Sequence, residues 1–276
     1  MIMDDMREPK PFVKWAGGKR QLITQLIQFS PPKFENYYEP FLGGGALFFK
    51  LSMLGKIKQA YLNDSSKVLI DAYKTIKEKP IELINELKNS KYKNSQENFL
   101  KIRAEQPTNL IEATARFIYL NKTAFNGLYR VNSNGGFNVP FGKYKNPNIL
   151  DEKNILSVSR ALQKDELTCM DFEQAVSSAK KHDLIYFDPP YQPINKTASF
   201  TNYTKENFTE KDQERLAKLF KVLDRKGCFV MLSNSYAPLI LDLYTGFQFH
   251  TVKATRMINC KAEGRGKIKE LIITNY

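Results

Sequence analysis

Apolar and polar positions fall in blocks along this chain, and the period of the blocks changes twice. Residues 10–62 run from KPFVKWAGGK through a helix-spaced RQLITQLIQF to NYYEPFLGGGALFFKLSML and a strand-like QAYLND, a β/α alternation punctuated by glycine turns. From Lys67 to about Leu120 the apolar residues take helical spacing, with Leu69, Tyr73, Ile76, Ile84, Leu87, Leu110, Phe117 and Ile118 marking the faces expected to pack. Residues 121–150 are polar and alternate on either side of Asn134-Gly135, a pair suited to a type I′ turn, so a β-hairpin is predicted there.

Beyond the hairpin the first rhythm returns. Strand ELTCMD, helix EQAVSSAKK, strand DLIYF, a helix around Leu216, Leu219, Phe220 and Leu223, and strand CFVMLSN follow in turn. Thr209 is placed to cap that helix and Gly227 to end it. Two strand-like runs, FQFHTVKATRMI and KELIITNY, close the chain across a basic loop. The pattern predicts an α/β fold, a mostly parallel, doubly wound, Rossmann-like sheet with helices on both faces. Residues 1–66 and 151–276 form the sheet domain, and 67–150 form an inserted helical and hairpin domain.

Composition adds a partner class to this outline. Lys and Arg total 42 against 29 Asp and Glu, a formal charge of +13, and such an excess favours polyanions through counterion release and steering. Cys169, Cys228 and Cys260 are odd in number and form no CxxC pair, so neither a disulfide framework nor a zinc site is expected. No apolar run reaches the ~20 residues of a membrane span, and MIMDDMREPK has no apolar signal segment. A soluble, intracellular protein working on nucleic acid is the expectation, with no membrane and no metal.

Three elements then suggest a nucleoside-bearing ligand. YYEPFLGGGALFF carries an acid at Glu39, three glycines and a helical run; it lacks both the last glycine of a dinucleotide fingerprint and the GK[ST] of a phosphate loop. Asp64 ends the next strand about 20 positions beyond the glycines, where doubly wound folds place an acid on ribose hydroxyls. KWAGGK adds an indole, a turn and an ammonium, fit to cover a ligand and meet a carboxylate.

The sharpest feature is DLIYFDPPY at residues 183–191. DLIYF is apolar enough for a central strand, and ligands in open α/β sheets sit beyond the carboxyl ends of strands, where Asp188 falls. Pro189 and Pro190 offer no N–H and cannot continue a ladder, so their stiff path can aim a carbonyl into the crevice. Tyr191 supplies a face that stacks on a nucleobase. A carboxylate, a carbonyl and an aromatic plate, with no thiol or histidine pair, suit the activation of an exocyclic aromatic amine: two acceptors on its hydrogens favour a more nucleophilic nitrogen.

In this order, KWxGGK, EPFxGGGA, the acid after the second strand and DPPY resemble the Dam-type DNA adenine methyltransferases over nearly the whole chain. FNGLYRVNSNGGFNVPFGKY is similar to the target-recognition hairpin of the branch that methylates GATC. The resemblance implies S-adenosylmethionine held by Trp15, Ala16, Gly17, Lys19, Phe41, Gly43, Asp64, Asp171, Phe172 and Asp188. It further implies Asp188 and the Pro189 carbonyl on the target amine, and Tyr191 stacked on an adenine flipped out of duplex DNA. Leu128, Arg130 and Pro140 match base-reading positions, with Phe125 and Asn126 beside the opened step, and Arg130 suits bidentate guanine recognition.

A cytosine exocyclic-amine methyltransferase would use nearly the same chemistry, and a non-catalytic DNA-binding regulator of the same fold would keep the charge and the hairpin. A cytosine-ring enzyme is rejected because no cysteine sits in a nucleophile setting, and a zinc deaminase because HxE and PCxxC are absent. The resemblance implies a cytoplasmic protein, bacterial or phage-encoded. Membership of a restriction-modification system, single- versus double-strand preference and oligomeric state stay open at the level of sequence.

Overall fold

A computed structural model describes residues 8–15, 17–19, 21–133, 135–193, 208–255 and 267–276, with the backbone alone for 253–255 and 267–268. Along the chain come α1 (Ile23–Phe29), β1 (Tyr37–Glu39), α2 (Ala46–Met53), β2 (Ala60–Asn63), α3 (Lys67–Glu78) and α4 (Pro80–Leu87). Then follow α5 (Gln96–Ala104), α6 (Leu110–Thr123), α7 (Glu152–Leu162), β3 (Glu166–Thr168), α8 (Phe172–Ala175) and β4 (Leu184–Phe187). Last are α9 (Glu210–Arg225), β5 (Phe229–Ser235), α10 (Pro238–Leu243), β6 (Gln248–Thr255) and β7 (Lys267–Thr274).

Two compact units emerge. One comprises residues 19–42, 55–63 and 170–276, and the other 1–18, 43–54 and 64–169. In the first, strands lie in the order β2-β1-β4-β5-β7-β6. The pairs β1·β2, β1·β4 and β4·β5 are parallel, whereas β5·β7 and β6·β7 are antiparallel. The mostly parallel α/β sheet of the sequence reading is therefore present, with its antiparallel end built by the last two strands. Every residue of β4 is buried, which is why LIYF reads as a continuous apolar run rather than an alternating one.

The long helix α9 covers that strand. Its Leu216, Ala217, Phe220 and Leu223 share one apolar cluster with Ile185 and Phe187 of β4 and Val230 and Leu232 of β5. Thr209 and Asp212 close a reciprocal capping box at its start, and Gly227, at φ +78, follows its end. Both ends agree with the sequence reading. The helix expected from EQAVSSAKK is only the four residues of α8, although Val176 and Ala179 beyond it still bury in the same cluster.

The second unit holds β3 and the helices α2 to α7. Helical spacing over 67–120 resolves into α3, α4, α5 and α6, with Leu69, Tyr73, Ile76, Ile84, Leu87, Phe117 and Ile118 buried. Leu110 departs from the expectation and is 57% exposed, because it opens α6 before the helix meets the core through Thr114, Ala115, Phe117 and Ile118. The predicted hairpin is a doubled-back segment joined by two antiparallel bridges, Ala124 to Phe141 and Val131 to Phe137, without an extended ladder. Asn132 closes its tip: its N–H donates to Gly136 O at 2.8 Å and its Oδ1 accepts from Gly136 N at 2.9 Å. The predicted type I′ turn rests on Asn134, which lies outside the described residues.

Candidate active site

In parallel pairing Phe187 faces Leu232, so Asp188 lies one residue past the last paired position of β4. The proline pair then lifts the chain off the sheet, as its missing N–H groups require. Asp188 keeps 18% of its side chain exposed, and its Oδ1 lies 2.7 Å from the Nζ of buried Lys19. At this distance the two side chains form an ion pair. Lys19 also stands 4.6 Å from the centre of the Tyr191 ring, a cation–π arrangement. The Tyr191 hydroxyl donates to Glu270 Oε2 at 3.0 Å.

Desolvation raises the Asp188 carboxyl above its ordinary range, Lys19 pulls it back, and Glu270 pushes it further up. Burial, then the charge of Asp188, raises the Tyr191 phenol well above its usual value, so it remains a neutral donor at physiological pH.

The turn's backbone is held from below by buried amides. Gln213 of α9 donates through Nε2 to Pro190 O at 3.0 Å, and its Oε1 accepts from Asn234 Nδ2 at 3.1 Å. Asn234 Oδ1 accepts from Gln192 N at 3.1 Å, and Ser235 Oγ donates to Gln192 O at 2.6 Å. No described residue donates to the Pro189 carbonyl. Gln213, Asn234 and Glu270 were not among the expected site residues. Only Glu270 left a trace in the sequence, as a lone acid ahead of Leu271-Ile272-Ile273.

Nearby in the same unit, Phe41 and Phe172 stack at 5.5 Å, and Phe208 meets both at 5.7 and 5.8 Å. Buried Asn63 sets this up: its Nδ2 donates to Pro40 O and Met170 O, and its Oδ1 accepts from Met170 N. One side chain thus ties the residues preceding Phe41 and Asp171 together. Asp171 caps α8 through Glu173 N and pairs with Arg215, whose guanidinium lies 4.8 Å from the Phe172 ring centre. Arg215 also meets Glu173 and Asp212, each at 3.1 Å. Phe208 and Arg215 escaped the sequence reading.

The other unit gathers Trp15, Gly43 and Asp64. A Cβ on Gly43, whose φ is +49, would fall 2.9 Å from Trp15 Cδ1, so both backbone conformation and space demand glycine there. Gly43 N donates to Asp64 Oδ2 at 2.9 Å, Ser66 N donates to Asp64 Oδ1 at 2.9 Å, and Tyr73 Oη donates to Gly43 O at 3.1 Å. Asp64 therefore braces the glycine turn. Gly17 is exposed with φ +78, while Ala16 lies outside the described residues.

Asn121 of α6, fully buried, ties this motif to the segment that begins at Phe125. Its Oδ1 accepts from Lys14 N at 2.8 Å, and its Nδ2 donates to Lys14 O and Gly127 O at 2.7 and 2.9 Å. Asn126 takes the left-handed conformation at φ 55 between exposed Phe125 and buried Gly127. Leu128 and Pro140 are exposed, and Pro140 O accepts from Phe125 N. Arg130 Nε donates to Asn138 Oδ1 at 2.8 Å on an exposed surface. Among the described residues, no group of three or more His, Cys, Asp or Glu is arranged to hold a metal. No described helix is long and apolar enough to cross a membrane.

Known proteins resemble this chain over most of its length. A family model described as D12 class N6 adenine-specific DNA methyltransferase matches residues 15–258. The type II methyltransferase M1.LlaDCHI of Lactococcus lactis subsp. cremoris is 46% identical over 275 residues, 97% of this chain and 95% of that protein. The type II methyltransferase M.MjaIII of Methanocaldococcus jannaschii is 43% identical over 288 residues, 98% and 100% of the two chains. The DNA adenine methylase of Vibrio cholerae is 35% identical over 272 residues, 97% and 96% of the two chains. The carboxylate, proline pair and tyrosine at the end of β4 thus sit in a chain that belongs to the D12 class N6 adenine-specific DNA methyltransferase family, enzymes that methylate adenine in DNA.

Proposed function

We propose that this methyltransferase uses S-adenosylmethionine to methylate the N6 amine of an adenine flipped out of double-stranded DNA, within GATC. The observation that carries this reading is Asp188, set at the carboxyl end of β4 with Lys19 at 2.7 Å and Tyr191 beside it. Its ionised carboxylate and the Pro189 carbonyl accept the two amine hydrogens. That draws the nitrogen lone pair out of ring conjugation and points it at the incoming carbon. Tyr191 holds the base plane by stacking, so alignment supplies much of the rate. As the N–C bond would form, the methyl–sulfur bond would break to leave a neutral thioether, and the amine's extra proton would then pass to solvent.

S-adenosylmethionine supplies an electrophilic methyl group on a sulfonium. The chain's donor set fits it: a glycine turn braced by Asp64 for the ribose hydroxyls and the stacked Phe41 and Phe172 for the adenine. Trp15, Ala16, Gly17, Lys19, Gly43 and Asp171 complete the proposed contacts, and Lys19, with three donors, can serve a ligand carboxylate as well as Asp188. Residues 67–150 are assigned to target recognition. Phe125 and Asn126 lie beside the opened step, and Leu128, Arg130 and Pro140 face bases. The site of action is DNA in the cytoplasm of a bacterial or phage-infected cell.

The test is transfer of label from S-adenosylmethionine to defined duplexes, followed by mapping of the modified base. Label on adenine in GATC is expected. Label on an adenine in another sequence would overturn the site, and no transfer from S-adenosylmethionine would overturn the donor.

A further inference from the structure

We propose that Glu270 is a positioning residue for methyl transfer: by accepting the Tyr191 hydroxyl hydrogen bond, it fixes the ring that stacks on the target base. The inference rests on the stacking role given to Tyr191 above and goes beyond it.

Glu270 lies on β7, paired across to Ser235 of β5 on one side and Val252 of β6 on the other. A strand hydrogen-bonded on both sides is a rigid mount. Residues facing each other in an antiparallel pair project to the same side of the sheet, so Ser235 and Glu270 act from neighbouring places. Ser235 Oγ holds Gln192 O at 2.6 Å, and Glu270 Oε2 holds the Tyr191 hydroxyl at 3.0 Å. Consecutive residues of the turn are thereby fastened to one register position, Tyr191 by the tip of its ring and Gln192 by its backbone.

The tip matters because Lys19 meets the ring only through its face, a contact that leaves the ring's direction loosely set, whereas a hydrogen bond at the hydroxyl fixes its far end. Fixing both ends removes rotation about χ1 and sets the stacking plane before the base arrives, which is where positioning affects rate. The lone acid ahead of the fully buried Leu271, Ile272 and Ile273 would carry a desolvation cost without a partner, and the phenol supplies that partner.

Glu270 has a second effect through charge. The groups facing Asp188 are Lys19, Glu270 and the phenols of Tyr37, Tyr186 and Tyr191, with Glu39 acting on the first two phenols. Among these, Glu270 opposes ionisation of Asp188 and Lys19 favours it. Neutralising Glu270 therefore moves the acid limb of the rate profile to lower pH.

The experiment compares wild type, Glu270→Ala, Glu270→Gln, Tyr191→Phe, the Glu270→Ala/Tyr191→Phe pair and Asp188→Ala in steady-state methylation of a duplex, with kcat followed across acidic pH. Glu270→Ala is expected to lower kcat about ten-fold, the loss of one charge-assisted hydrogen bond, with the KM for S-adenosylmethionine changing little. Glu270→Gln, still an acceptor, should recover most of that loss and shift the acid limb downward. Tyr191→Phe should reproduce the kcat loss, and the double variant should add little to either single change.

Wild-type kcat and an unmoved acid limb in both Glu270 variants would overturn the proposal, as would fully additive losses in the double variant. Should Glu270→Ala fail to fold, the glutamine variant's pH shift and the Tyr191→Phe loss decide the matter. Full activity of Asp188→Ala would instead bring down the catalytic reading on which the proposal rests.

Discussion

The turn after β4 and the segment from Phe125 to Pro140 are both irregular backbone, yet they are held in opposite ways. Within residues 188–192 the Asp188 carboxylate, the Pro190 carbonyl, the Tyr191 hydroxyl and the Gln192 backbone are met by buried or half-buried side chains: Lys19, Gln213, Glu270, Asn234 and Ser235. In the segment from Phe125 to Pro140, buried Asn121 holds the base at Gly127, while Phe125, Leu128 and Val131 stand exposed and half-buried Arg130 bonds the exposed Asn138 side chain. The proposed function accounts for the contrast by two tasks. An amine must be met at one position and one angle, which calls for a fixed, desolvated frame. DNA arrives as an extended, hydrated surface, so the residues that meet it must keep their polar and apolar groups outward.

The sharpest way to break the contrast is at its chemical centre. Asp188→Ala should lower methyl transfer by about 10³-fold while leaving duplex binding in place. Retained activity would show that the frame around Asp188 serves structure alone. Next in size is the buried support. Asn234→Ala leaves the Gln192 N–H and one face of Gln213 without partners, at about 1 to 3 kcal/mol per orphaned group, read as a lower denaturant midpoint together with a reduced kcat. Asn121→Ala should cost similar stability yet lower duplex affinity and site discrimination more than kcat at saturating DNA. Equal kinetic profiles for the two variants would erase the distinction between the regions.

A pH profile sharpens the electrostatic half. Burial raises the Asp188 carboxyl, so the acid limb of kcat should be displaced upward from that of an ordinary aspartate. Lys19→Met, assayed at saturating cofactor, removes the group that favours ionisation and should move the limb upward, opposite to Glu270→Gln. The stability linkage has the matching sign. A carboxyl raised in the folded state favours folding while protonated, and that contribution fades as pH climbs through the folded value. The smallest structural effect is expected at Arg130. Arg130→Ala should leave the thermal midpoint nearly unchanged while relaxing guanine discrimination by about 1 to 3 kcal/mol, read by competition among single-base variants of GATC. Equal weakening on all duplexes would identify a phosphate contact instead.

Helix and strand identities were legible because burial imprints period on sequence: the apolar run of β4, the two-sided polarity of α9 and the Thr209 cap all announced themselves. The Leu110 face and the length of α8 were misjudged, since spacing shows which residues share a face and not where that face begins to meet a core. Asp188, Pro189 and Tyr191 were visible as a cluster, being adjacent in the chain. Gln213, Asn234 and Glu270 were not, because each sits in a different element and looks like a surface residue until the sheet brings it under the turn.

The sequence by itself determined the order of elements, the basic charge, the cluster of functional groups at the end of DLIYF and the family to which the chain belongs. Such features are local, set by periodicity, backbone restriction at proline and glycine, and the functional groups of neighbouring residues. Only the tertiary structure decided that Lys19 neutralises Asp188, that two amides clamp the proline turn, and that an acid on β7 holds Tyr191 by its hydroxyl. These pairings join residues far apart in the chain, and their strength comes from shared burial, which a linear string of residues does not carry.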